Sequence, residues 1–198
     1  MQPMSSAPET IAQAAARLVV DDGLEYGPAK RKAARDLARR GGRRSELPSN
    51  EAVEDEVRDY LALFQADTQP AELASLRRLA LHWMQRLAEF RPHLTGAVWR
   101  GTATRRSAVQ IELYCDDSKA AELSLLDRRV SYEPVGQPDG VDLLRIEARC
   151  AELGETVTLL LHVLDRDDLR GALKPDTRGR TWRGDAPALQ RLIDSSSQ

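Results

Sequence analysis

Apolar residues recur along this chain with two different periods, and the change from one to the other divides it. Up to about residue 90 the spacing is helical. Ile11, Ala14, Ala15, Leu18 and Val19 fall on one face of a segment from Thr10 to Val20, which Asp21, Asp22 and Gly23 stop. Pro28 opens a second segment through Arg40, closed by Gly41 and Gly42. Asn50 is placed to cap a third, on which Val53, Val57, Tyr60, Leu61 and Phe64 align. Leu73, Leu76, Leu79, Ala80, Trp83, Leu87 and Phe90 form a broad stripe from Pro70 to the stop at Pro92.

Beyond that point the period falls to two. Val109, Ile111 and Leu113 alternate with Gln110 and Glu112 as a half-buried strand does, and the apolar run Ala97 to Trp99 before Gly101 reads as a strand leading into a turn. Asp116, Asp117 and Ser118 predict a turn and cap for a helix from Lys119 to Asp127. Ser131–Val135 and Val141–Ala148 predict two strands about a Gly-Gln-Pro-Asp-Gly turn. The run Thr156 to Leu164, TVTLLLHVL, is apolar enough to predict a central strand covered on both faces, and Ala186 to Ile193 predicts a last helix. The expected organisation is a tail over 1–8, a helical region over 9–69 and an α/β domain over 70–198, an α+β fold.

Total charge narrows the partners little. The chain has 198 residues and a net charge of −2, so attraction to nucleic acid would need a local patch. Eight cations lie between Lys30 and Arg44 against one acid, Asp36. They suit either an RNA- or protein-binding helix or a solvated face balanced by Glu51, Glu54, Asp55, Glu56 and Asp59 in the next helix. The simplest arrangement pairs those two helices as a hairpin. A second cationic stretch holds Lys174, Arg178, Arg180, Trp182 and Arg183 among glycines, either as an anion clamp or as a terminus packed through its tryptophan. Cys115 and Cys150 predict reduced, inert thiols, and His82, His93 and His162 are too scattered for a zinc site. The N-terminal ten residues lack a basic region followed by an apolar core, and no stretch reaches membrane-span length, so a cytoplasmic protein is expected. Neither a P-loop nor a Gly-x-Ser-x-Gly elbow occurs.

One stretch carries a family resemblance. GAVWRGTATRRSAVQI, from Gly96, aligns without gaps on Gly-Ser-x-Ala-Arg-Gly-x-Ala-x-x-x-Ser-Asp-Ile-Asp-Leu, keeping Gly96, Arg100, Gly101, Ala103, Ser107, Val109 and Ile111. It resembles the signature of the minimal nucleotidyltransferases, of the polymerase-beta-like fold, and the order of elements from Leu73 to Leu164 is similar as well. The resemblance implies a mixed β-sheet flanked by helices. Phosphoryl transfer in that family relies on two aspartates, one residue apart on a strand, that hold divalent metal. Here Ala108 and Gln110 occupy those places, and Ala97 replaces the phosphate-binding serine.

The resemblance therefore implies a degenerate, bacterial, cytoplasmic member that has lost metal-dependent transfer and keeps a nucleotide- or phosphate-binding groove. Arg100, Gly101, Thr102, Arg178, Arg180 and Arg183 would line it, with Glu112 and Asp142 as remnants of the acidic centre. Neither cofactor nor metal is then required. The alternative is an active, divergent enzyme that rebuilds a Mg²⁺ centre from Glu112, Asp142 and Glu133. An RNA- or protein-binding adaptor acting through residues 30–44 is a third possibility.

Overall fold

The computed structural model describes residues 7–41, 46–136, 142–170, 172–175 and 179–196. They form a mixed α/β protein that divides between Pro70 and Ala71 into two compact units.

The first unit contains α1 (Ala7–Asp22), α2 (Tyr26–Arg39) and α3 (Asn50–Phe64). Its core interleaves Ile11, Ala15 and Val19 with Ala29 and Ala33, and with Val53, Val57 and Leu61. Alanine is frequent on the facing surfaces of α1 and α2, which lets their backbones approach closely. Both α2 and α3 pack on α1, so shared apolar burial, rather than the expected charge pairing of α2 with α3, organises the unit. The α3 cap is Ser49, whose hydroxyl accepts from the Ala52 amide at 3.1 Å. Asn50, the expected cap, is the first helical residue and accepts from Lys30 Nζ at 2.8 Å. Glu54, expected on the acidic outer face, is buried and takes a 2.7 Å bond from Arg58 one turn on.

In the second unit α4 (Gln69–Arg86) lays Leu76, Ala80, Trp83 and Met84 on a sheet, and a 3₁₀ turn, Ala88–Phe90, follows it. The remaining elements are β1 (His93–Thr95), α5 (Gly96–Arg100), β2 (Val109–Cys115), α6 (Ser118–Asp127), β3 (Glu133–Val135), β4 (Asp142–Cys150), β5 (Glu155–Asp165), β6 (Arg183–Gly184) and α7 (Ala186–Ser196). The strands lie in the order β3-β4-β5-β2-β1-β6. β2 and β5 are parallel and the other pairs antiparallel, giving a mixed sheet. Of the expected turn between β3 and β4, residues 136–140, all but Gly136 lie outside those described.

Two expectations for the second unit also need correction. Residues 96–100 form one turn of helix rather than a strand, since Gly96 at φ 70° bends the chain out of β1 at once. β5 is central, yet only its odd-numbered residues Val157, Leu159, Leu161 and Val163 are buried. Thr158, Leu160, His162 and Leu164 sit on a face that is only half-buried, outside the helix-covered core formed by the described residues; leucine on that more open face hides the alternation from a sequence reader.

Candidate functional site

The open face of the sheet is where β2 displays its even-numbered residues. Register fixes this, because Val109, Ile111 and Leu113 point into the helix-covered core and Gln110, Glu112 and Tyr114 to the other side. The antiparallel neighbour β1 brings His93 opposite Glu112 and Thr95 opposite Gln110. The side chain of Gln110 lies over Gly96, close enough that a Cβ there would stand 3.2 Å from its amide.

A two-residue strand from the far end of the chain completes the site. β6 pairs Arg183 with Thr95 and Gly184 with Leu94. The Thr95 hydroxyl donates to the Trp182 carbonyl at 3.0 Å, and Trp99 Nε1 donates to the Thr181 carbonyl at 2.8 Å. Gly184 is required by contact, since any Cβ there would overlap the Trp99 ring. Buried Arg77 fixes the other side of α5 by donating to the Val98 carbonyl at 3.2 Å.

These constraints bring Arg183 against Glu112. Its Nη1 donates to Glu112 Oε2 at 2.8 Å and to the Tyr114 hydroxyl at 2.9 Å, while that hydroxyl donates to the same Oε2 at 2.7 Å. The three groups close a triangle. His93 meets the Tyr114 ring edge-on, with centroids 5.4 Å apart. Burial, and next the bond to Glu112, push the Tyr114 phenol up to about 12, with Arg183 opposing. Two more arginines approach Trp182: the guanidinium carbons of Arg100 and Arg180 lie 5.6 and 5.9 Å from its ring centre.

Of the residues that sequence singles out, Glu112 and Arg183 therefore meet directly, and Arg100 and Arg180 gather around Trp182. Gly101 ends α5 in the left-handed conformation, φ 82°. Thr102 is buried, and its amide, like that of Gly101, turns back to the Ala97 carbonyl. Arg178 lies outside the described residues.

Asp142 is not brought to Glu112. It sits in register with Val163, which neighbours Leu113, so it belongs to the helix-covered side and lies within the field of Lys119 on α6. Glu133 shares the open face but belongs to β3, three strand spacings or about 14 Å from β2. It also lies 3.7 Å from Arg145. Among the described residues no three His, Cys, Asp or Glu side chains converge as metal ligands. The donor set does not fit a divalent pair: Ala108 offers nothing, Gln110 only neutral atoms, and Glu112 is already engaged by a cation.

Sequence reasoning did not single out Tyr114, His93, Trp99 or Gly184. Only the alternation that places Tyr114 in step with Glu112 pointed to any of them.

No family model and no curated protein matches the sequence. Among solved structures, two of the Cid1 poly(U) polymerase are similar, one bound to MgGTP and one a mutant bound to MgATP, at 10% and 9% identity and a TM-score of 0.37 each. The match covers 46% of this chain and 32% of those structures. The likeness is to a nucleotidyltransferase, and at this level it assigns no fold family by itself. Among the described residues no helix is long and apolar enough to cross a membrane.

Proposed function

We propose that residues 71–198 form a degenerate nucleotidyltransferase-like domain that binds a phosphate-bearing ligand, a nucleotide being the simplest, without metal-dependent transfer. One observation carries this: the open-face carboxylate nearest the family's acidic positions, Glu112, is held by Arg183 and Tyr114 rather than left to receive a cation. An ion pair of limited exposure takes over the charge balance that a metal would otherwise supply. The arginines clustered about Trp182 suit an anion, because guanidinium groups fork onto phosphate oxygens and the indole draws two of them together. Gly101 and Thr102 shape the turn that aims Arg100, rather than offering their amides to the ligand.

Titration calorimetry with ATP, with and without magnesium, tests the proposal. Binding of similar affinity in both conditions, weakened by combined Arg100→Gln and Arg180→Gln substitutions, is the expected result. Affinity that appears only with magnesium, or no heat at all, refutes it.

A further inference from the structure

A second feature lies wholly within the first unit and takes no part in the site above. Along α2 the side chains of Arg31, Arg35 and Arg39 recur every four residues on an exposed face. Helical rise spaces them about 6 Å apart. They border a groove of about 740 Å³ that is also lined, among the described residues, by Pro28, Ala34, Ala38 and Leu47. Those four are apolar, and Leu47 is 46% exposed.

Three other cations of the unit are held within it. Lys30 is engaged by the Pro48 carbonyl and by Asn50, Lys32 by Asp22, and Arg58 by Glu54. Arg31, Arg35 and Arg39 make no hydrogen bond or ion pair among the described residues. The helix thus spends its lysines on internal contacts and turns three arginines outward over apolar ground.

We propose that this groove docks an acidic amphipathic helix of a partner protein, with carboxylates four residues apart against the arginines and small apolar side chains on Ala34, Ala38 and Leu47. Charge complementarity selects an acidic occupant, and equal four-residue spacing on two helices keeps three pairs in register. The alanines allow a helix to approach closely, and Leu47 supplies an apolar anchor beside them. A phosphate backbone would satisfy the arginines but leave that floor uncovered. Among the described residues no aromatic side chain lines the groove for a base to stack on.

Fluorescence anisotropy with the full chain tests this directly. The probe is a labelled synthetic helix carrying three glutamates four residues apart beside leucine and alanine, compared with its glutamine counterpart and with a single-stranded RNA oligonucleotide. The glutamate helix is expected to bind at low salt, the glutamine helix about tenfold more weakly, and the affinity to fall as salt shortens the Debye length. Combined Arg31→Gln, Arg35→Gln and Arg39→Gln substitution should cost about tenfold, and the corresponding lysine variant should restore part of it. Leu47→Ser should weaken peptide binding through the floor without adding charge, with circular dichroism confirming that each variant keeps its helices. No binding of the glutamate helix at low salt overturns the proposal. Equal binding of both peptides, full binding by the glutamine triple variant, or tighter binding of RNA that ignores Leu47→Ser does so as well.

Discussion

Replacing Tyr114 by phenylalanine isolates one hydroxyl at the centre of the site. Tyr114 is 2% exposed, and its hydroxyl bonds both Glu112 and Arg183. Losing a hydrogen bond to a charged partner costs about 1.5–3 kcal/mol, so Tyr114→Phe should be less stable by that amount at neutral pH. The phenol adds a pH dependence of known sign. Its folded value of about 12 stands above the ordinary 10.0, so the folded state holds the proton more tightly than the unfolded chain. The resulting stabilisation is fully present below pH 10 and is lost as pH rises from 10 towards 12. About two pH units at 1.36 kcal/mol each amount to roughly 2–3 kcal/mol.

Urea unfolding followed by circular dichroism, on both proteins across this range, measures the difference. Tyr60 and Tyr132 are also raised, but they are common to both proteins and cancel. The gap between wild type and Tyr114→Phe should stay level up to about pH 10 and then narrow. The tyrosinate absorbance missing from the variant should titrate late. A gap that stays constant through the alkaline range, or a missing tyrosinate that titrates with an ordinary phenol, refutes the triangle of Glu112, Tyr114 and Arg183.

Other substitutions probe the supports of each unit. Gly184→Ala forces a methyl into the Trp99 ring and should cost about 1–3 kcal/mol in thermal or urea unfolding, while perturbing tryptophan fluorescence. Ser49→Ala removes the α3 cap and should cost about 1 kcal/mol by chemical denaturation. Arg58→Met takes a partner from buried Glu54 and should cost about 1–3 kcal/mol, with Glu54→Gln in the same background recovering part of the loss. Glu112→Gln should leave Arg183 bonded only through neutral atoms. If Glu112 occupies an anion's place, that change should tighten ATP binding measured by calorimetry, and unchanged affinity would count against it.

Helices and strands were legible wherever one face alone was apolar. Val53, Val57 and Leu61 define α3 from spacing alone, and Val109, Ile111 and Leu113 define β2. The class of fold follows from the order of those elements. Gly96–Arg100 was not legible, because five residues carry no period and the bend depends on the glycine's dihedral. Burial of Glu54 was hidden too, since a helix-facing carboxylate looks like any other until its neighbour is placed. Glu112 and Arg183 were each visible as candidates, but nothing local relates residues joined only by β6 pairing with β1. Asp142 and Glu112 both looked acidic and strand-borne, and only the register assigns them to opposite faces.

The lateness of β6 in the chain sets an order of events during synthesis. Glu112 waits for a partner 71 residues downstream, about 4 to 14 s of translation at ordinary rates. Until then β1 is an uncovered edge and Glu112 an uncompensated acid beside it. A nascent chain stalled before Thr181 would have both exposed at once, to solvent cations and to any strand seeking an edge.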